Sequence, residues 1–204
     1  MADWRLSVVI PTRNHVKLLE RLLDSLAQQT LPASEFEVIV VDDGSTDGTR
    51  EFLRAARFPY SLRVIENERL GPPRARNEGI AAARAQIIAC LDDDVVLRDD
   101  CFMKALPYFA DEKIGIVEAT LYIEGQDRPL QIHASAQGLV TAAIFFRREA
   151  VRKVGGFDPQ FYDPETGLFF RDDADIGFRI LDAGYKAIQP PDVVAWHPVQ
   201  FPSV

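Results

Sequence analysis

Three clusters of carboxylates set the chemistry open to this chain: Asp42-Asp43, Asp92-Asp93-Asp94, and Asp172-Asp173 with Asp175. Adjacent carboxylates repel one another, and withdrawing them from water costs free energy unless a cation neutralises them. A divalent cation with oxygen ligands, Mg2+ or Mn2+, is the natural occupant of such a cluster. Taken alone, Asp92-Asp93-Asp94 reads equally well as a solvated acidic turn before a helix. What precedes it weighs against that reading. Ile87-Ile88-Ala89-Cys90-Leu91 is apolar with too little alternation for a half-exposed strand, so it predicts a strand buried on both faces. Ligands of open α/β sheets sit beyond the carboxyl ends of such strands, where Asp92-Asp93-Asp94 falls.

The elements that must carry these residues alternate. Residues 6–10 (LSVVI), stopped by Pro11, predict a first strand, and leucines at helical spacing predict a helix over 16–29. Residues 36–41 (FEVIVV) predict a second strand ending at Asp42-Asp43, and Ser45 or Thr46 is placed to cap a helix running to about residue 56. A strand over 62–65 and a helix over 73–83 lead into the acidic strand. This βαβ series predicts a doubly wound parallel sheet, with both acidic clusters at one cleft. The second half predicts a helix over 102–109, strands over 114–123 and 139–146, and a helix over 147–154 closed by Gly155-Gly156. A loop over 157–170, a helix over 172–183 and short strands over 186–188 and 193–196 complete it. No repeat or low-complexity linker divides the chain, so one domain over 1–204 is expected.

Composition narrows the function. Net charge −8, from 23 Lys plus Arg against 31 Asp plus Glu, argues against a nucleic-acid partner, which needs a basic footprint. An acidic protein that binds an anionic diphosphate in an acidic cleft needs a metal ion between the two. There is no GxGxxG after the first strand and no GxxxxGK[ST], so dinucleotide-dependent dehydrogenases and P-loop phosphotransferases lose their fingerprints. Cys90 and Cys101, outside any CxxC pattern, read as reduced thiols of a cytoplasmic protein. No stretch reads as a signal peptide or a membrane span, which leaves peripheral contact with the inner face of a membrane open.

The motifs VVIPTRN, VVDDGSTDGT, GPPRARNEGI, ACLDDDVVL, KVGGFDPQF, RDDADIGFRILDAGYK and VVAWHP, in that order, resemble family 2 glycosyltransferases over nearly the whole chain. The resemblance implies the GT-A fold: an α/β, Rossmann-like, mostly parallel sheet flanked by helices. A nucleotide-sugar-binding half (1–98) would precede a mixed acceptor-binding half (99–204). It implies an inverting transfer of a sugar from a nucleotide-diphosphate sugar, with UDP favoured, to a hydroxyl of a glycan, lipid-linked or other glycoconjugate acceptor.

Residue by residue, Pro11, Thr12 and Arg13 match positions that line the nucleotide base, and Asp43 the residue that hydrogen-bonds it. Arg76 matches a position near the donor phosphates. Asp94 of the DxD-like motif matches the metal ligand, Mn2+ or Mg2+. Asp93 or Asp92 would then reach the ribose or the sugar, and His197 matches a late histidine that sometimes completes the metal site. Asp173 matches the general base, although Asp172-Asp173 replaces the commoner Glu-Asp and leaves open which of the two acts. Family members often continue past the His-Pro motif, so the chain is either a compact member or a piece of a longer one. Two other readings remain: a non-catalytic nucleotide-sugar-binding module, and a sugar nucleotidyltransferase, whose glycine- and basic-rich loop after the first strand is missing here.

Overall fold

The computed structural model describes residues 4–129, 142–168 and 171–198. Its first half alternates strand and helix: β1 (Leu6–Thr12), α1 (Val16–Ala27), β2 (Phe36–Asp42), α2 (Thr49–Ala55), β3 (Ser61–Glu66), α3 (Pro72–Ala82) and β4 (Ile87–Leu91). There follow β5 (Val96–Leu97), α4 (Cys101–Ala105), β6 (Ile114–Glu118), β7 (Thr120–Ile123), β8 (Ala143–Arg147), α5 (Arg148–Val154), α6 (Asp172–Asp182), β9 (Lys186–Ile188) and β10 (Val194–His197).

The main sheet runs β3-β2-β1-β4-β8-β6-β9. β3, β2, β1 and β4 are mutually parallel, β8 is antiparallel to β4 and β6, and β9 is parallel to β6. The strands therefore contributed after residue 98 extend the sheet begun before it. Leu6, Val8 and Ile10 of β1 lie in the core layer of the α1 leucines, whereas Val9 lies in the opposite layer, which holds Ala75 and Ile80 of α3 and, farther along the sheet, Ile176 and Ile180 of α6. A strand buried on both faces explains why β1, β2 and β4 carry apolar residues at successive positions. Leu19, Leu22, Leu23 and Leu26 are at most 1% exposed, and each contributes about 2 kcal/mol on burial.

α3 lies unusually close to the sheet. A β-carbon at Gly79 would stand 2.3 Å from Cγ1 of Val9, so glycine there lets the helix settle onto β1. That close approach carries Arg76, one turn earlier on the helix, toward the carboxyl end of β4.

Three expectations need correction, and a fourth falls partly outside the described residues. The strand expected over 114–123 is two strands in two sheets. β6 pairs with β8 and β9, and the chain then crosses at Ala119 so that β7 pairs with β10, which also pairs with β5. The helix expected over 102–109 begins at Cys101, and a tighter turn replaces it from Leu106, where Pro107 removes a helix hydrogen bond. Ser45 and Thr46 do not cap α2; both bind Asn14, and the Asp47 carboxylate accepts the Thr49 N–H instead. The strand expected over 139–146 is β8; residues 139–141 lie outside those described, as do residues 169–170 of the expected loop.

Candidate active site

The carboxyl ends of β1, β2 and β4 and the start of α3 surround a cleft of about 380 Å³. Pro11, Thr12 and Arg13 line it after β1, Asp43 after β2, Arg76 from α3, Asp92, Asp93 and Asp94 after β4, and His197 from β10. The sheet order thus brings together residues up to 186 positions apart. Asp172 and Asp173, at the first turn of α6, are outside the cleft lining, and Asp172 reaches it only through Arg76.

Each carboxylate of the central cluster has a different partner. Asp92 accepts a hydrogen bond from Nη2 of Arg76 at 2.7 Å. Asp93 accepts from the Thr12 hydroxyl at 2.6 Å and lies 3.1 Å from Nδ1 of His15. Asp94 places Oδ2 3.3 Å from Nε2 of His197, while its Oδ1 is buried with no hydrogen-bond partner. Burial pushes the Asp94 carboxyl above the usual carboxylate range; His197 opposes the shift, and Asp92 and Asp93 add to it.

Asp43 is 5% exposed and accepts the backbone N–H groups of Leu70 and Gly71, at 2.6 and 2.8 Å. It therefore anchors the loop that starts α3 while presenting its carboxylate to the cleft. Arg13 brings to the cleft wall a buried Nε with no hydrogen-bond acceptor among the described residues. Arg76 is 2% exposed and bridges Asp92 and Asp172, the latter through Nη1 at 2.8 Å. Burial opposes its charge, but the two carboxylates outweigh this and raise its affinity for the proton. Asp172, 3% exposed, is itself shifted upward by burial despite Arg76. Asp173 is less buried and accepts the Ala174 N–H at 2.8 Å. Asp175 pairs with Arg179 along the same helix, a contact that stabilises α6 without reaching the cleft.

The residues around Asp94 fit a divalent cation. Nδ1 of His197 donates to the Pro198 carbonyl at 3.0 Å, which leaves Nε2 facing the Asp94 carboxylate at 3.3 Å. Two electron-rich groups 3.3 Å apart repel unless a proton or a metal ion lies near both. A backbone carbonyl accepting the second ring N–H is the usual outer support of a metal-binding histidine. Among the described residues no three His, Cys, Asp or Glu side chains converge as a complete cage. A cation held by Asp94 and His197 would take its other oxygens from a diphosphate and water, the usual arrangement for Mg2+.

Two cleft residues carry no sequence signal of their own. His15 stands just after the PTRN motif, and its proton affinity is raised by the hydrogen bond to Asp93, against partial burial. Its position two residues past Arg13 at the end of β1 was the available clue. Tyr162 packs its ring on Gly71, where a β-carbon would come within 2.3 Å of Cδ1; only glycine tolerates both that contact and the φ of +88°.

The fold is that of a GT-A glycosyltransferase. Residues 7–176 match the family model described as glycosyl transferase family 2, and the chain belongs to that family. It is 37% identical over 174 residues to a validoxylamine A glucosyltransferase of Streptomyces hygroscopicus subsp. jinggangensis, covering 84% of this chain and 40% of the relative. It is 29% identical over 210 residues to glycosyltransferase AglE of Haloferax volcanii, covering 95% of this chain and 67% of that protein. Among solved structures, a mannosyltransferase from Pyrobaculum calidifontis in complex with GDP-Man and Mn2+ superposes with a TM-score of 0.81 at 28% identity, over 98% of this chain and 58% of that one. TarS of S. aureus in complex with UDP-GlcNAc shares the fold at 21% identity, with a TM-score of 0.81 over 98% of this chain and 60% of that one.

Proposed function

We propose that this chain carries a metal-dependent, inverting glycosyl transfer from a nucleotide-diphosphate sugar to a hydroxyl of a glycan or glycoconjugate. The observation that carries the reading is Asp94, whose buried, unpartnered Oδ1 stands beside a histidine oriented as a ligand. Asp94 and His197 would hold the cation, which when bound would supply charge neutralisation for the departing diphosphate. Thr12, Arg13 and Asp43 bind the nucleoside: Asp43 accepts a ring N–H and Arg13 donates its unpartnered Nε–H. UDP is the favoured nucleotide, and GDP is the second candidate, because the P. calidifontis relative binds GDP-Man.

Asp173 is the general base. Asp172 is held by Arg76 and nearly sealed from solvent, whereas Asp173 keeps more exposure at the helix start. Its carboxylate takes the proton of the acceptor hydroxyl as that oxygen bonds to the anomeric carbon. The bond to the diphosphate oxygen breaks on the opposite side, and this single displacement inverts the configuration. No described helix is long and apolar enough to cross a membrane. Cys90 and Cys101 are free buried thiols, which supports a reducing, cytoplasmic setting.

Asp173→Asn tests the reading. Sugar transfer is expected to fall by 10³-fold or so, in the range of a lost general base, while nucleotide binding stays at the wild-type level. Undiminished transfer would remove the base assignment. A wild type that binds nucleotide and never transfers sugar to any acceptor hydroxyl would mark a binding module.

A further inference from the structure

Arg76 is committed in two directions. Its side chain is 3% exposed, Nη1 meets Asp172 at 2.8 Å, Nη2 meets Asp92 at 2.7 Å, and the guanidinium carbon lies 5.4 Å from the centre of the Phe157 ring. The bridge spans 16 residues on one side and 96 on the other, so it joins the turn after β4 to the first turn of α6. That first turn carries Asp172, Asp173 and Asp175 and has no side-chain cap, and it follows Arg171 in the left-handed region at φ +63°. The apolar grip of α6 on the sheet comes later in the helix, at Ile176 and Ile180.

We propose that Arg76 is a positioning residue that fixes Asp173 relative to the donor cleft by tethering Asp172 to Asp92, and that it is not a ligand of the donor phosphates. The proposal rests on Asp173 being the base. A planar guanidinium satisfies two carboxylates on separate elements at once, which an ammonium on a flexible stem does not reproduce. A fixed guanidinium also prevents the α6 turn from drifting, and a shift of about 1 Å in a reacting group costs on the order of 100-fold in rate.

The test compares Arg76→Lys, Arg76→Met and the double variant Arg76→Met/Asp172→Asn with wild type. It reads kcat, donor KM, the Kd for UDP or GDP with Mn2+, and melting temperature. The expected result is a kcat lowered tenfold or more in Arg76→Lys, with donor KM and nucleotide Kd within threefold of wild type. Arg76→Met leaves Asp172 buried without its cation and melts early. The double variant removes that charge and recovers the melting temperature, but its kcat stays low because the tether is gone. If kcat returns together with the melting temperature, Arg76 contributes stability only and the proposal falls. If nucleotide Kd rises tenfold while kcat holds, Arg76 is a phosphate ligand and the proposal falls. Asp173→Asn in the same assay separates the two readings: wild-type kcat there removes the base, whereas a dead Asp173→Asn beside an unaffected Arg76→Lys removes only the tether.

Discussion

Replacing Asp94 by Asn should make the metal-free protein more stable while removing its function. Oδ1 of Asp94 is buried with no partner, and Asp92 and Asp93 stand on the same turn. Asn keeps a buried oxygen at this point but removes the charge, and the penalty on an unsatisfied buried group, about 1–3 kcal/mol, is larger for a charged one. The raised carboxyl pKa says that burial and the neighbouring charges disfavour the ionised form. The side chain keeps 18% exposure and the His197 contact, so the lower end of that range applies, about 1 kcal/mol. In a chain of 204 residues this raises Tm by roughly 2–4 °C. The assay is thermal unfolding by circular dichroism at neutral pH in chelator, then with saturating Mn2+ and UDP or GDP. Wild type gains about 2.7 kcal/mol at a hundredfold excess of ligand over Kd, and the variant gains little. The sign of the pH dependence follows from the raised pKa. The folded state holds this proton more tightly than the unfolded chain, so the penalty is complete above the folded-state pKa. It fades as pH falls through that value and is gone below the unfolded value near 3.8. The Tm gap between the two proteins therefore closes on acidification. An Asp94→Asn protein that melts below wild type in chelator, or that keeps the full metal-and-nucleotide shift, would refute the reasoning.

Other variants probe the walls of the cleft. Gly71→Ala forces a β-carbon to within 2.3 Å of the Tyr162 ring at a φ of +88°, so it should cost about 1–3 kcal/mol and weaken nucleotide binding; denaturant melts and calorimetry check both. His15→Ala removes the imidazole beside Asp93 but leaves the Thr12 hydroxyl in place. Nucleotide Kd should rise by about tenfold, the worth of one charge-assisted hydrogen bond, with little change in Tm; an unchanged Kd would place His15 outside the site.

The alternating sheet and the acidic clusters were legible because both are local signals. Apolar runs such as 87–91 report a strand buried on two faces, and Asp92-Asp93-Asp94 reports an electrostatic problem wherever it folds. The split of the 114–123 run at Ala119 was not legible, because both pieces are apolar and only their partners, β8 and β10, differ. For a related reason Ser45 and Thr46 do not cap α2: Asn14, 31 and 32 positions away, takes both, and Gly48 stands at the helix start with no side-chain cap. The Arg76 bridge to Asp172 and the His15 contact with Asp93 span 96 and 78 residues. Periodicity and spacing carry no information on such pairs; the sheet order creates them.

The most direct test of the central claim is calorimetric titration of wild type with UDP and GDP, each with Mn2+ and again in chelator. Binding of one of them that requires Mn2+ is the predicted result, and it would identify the nucleotide carried by the donor sugar. Binding of neither nucleotide, or binding equally tight in chelator, would contradict a metal-bridged diphosphate site at Asp94.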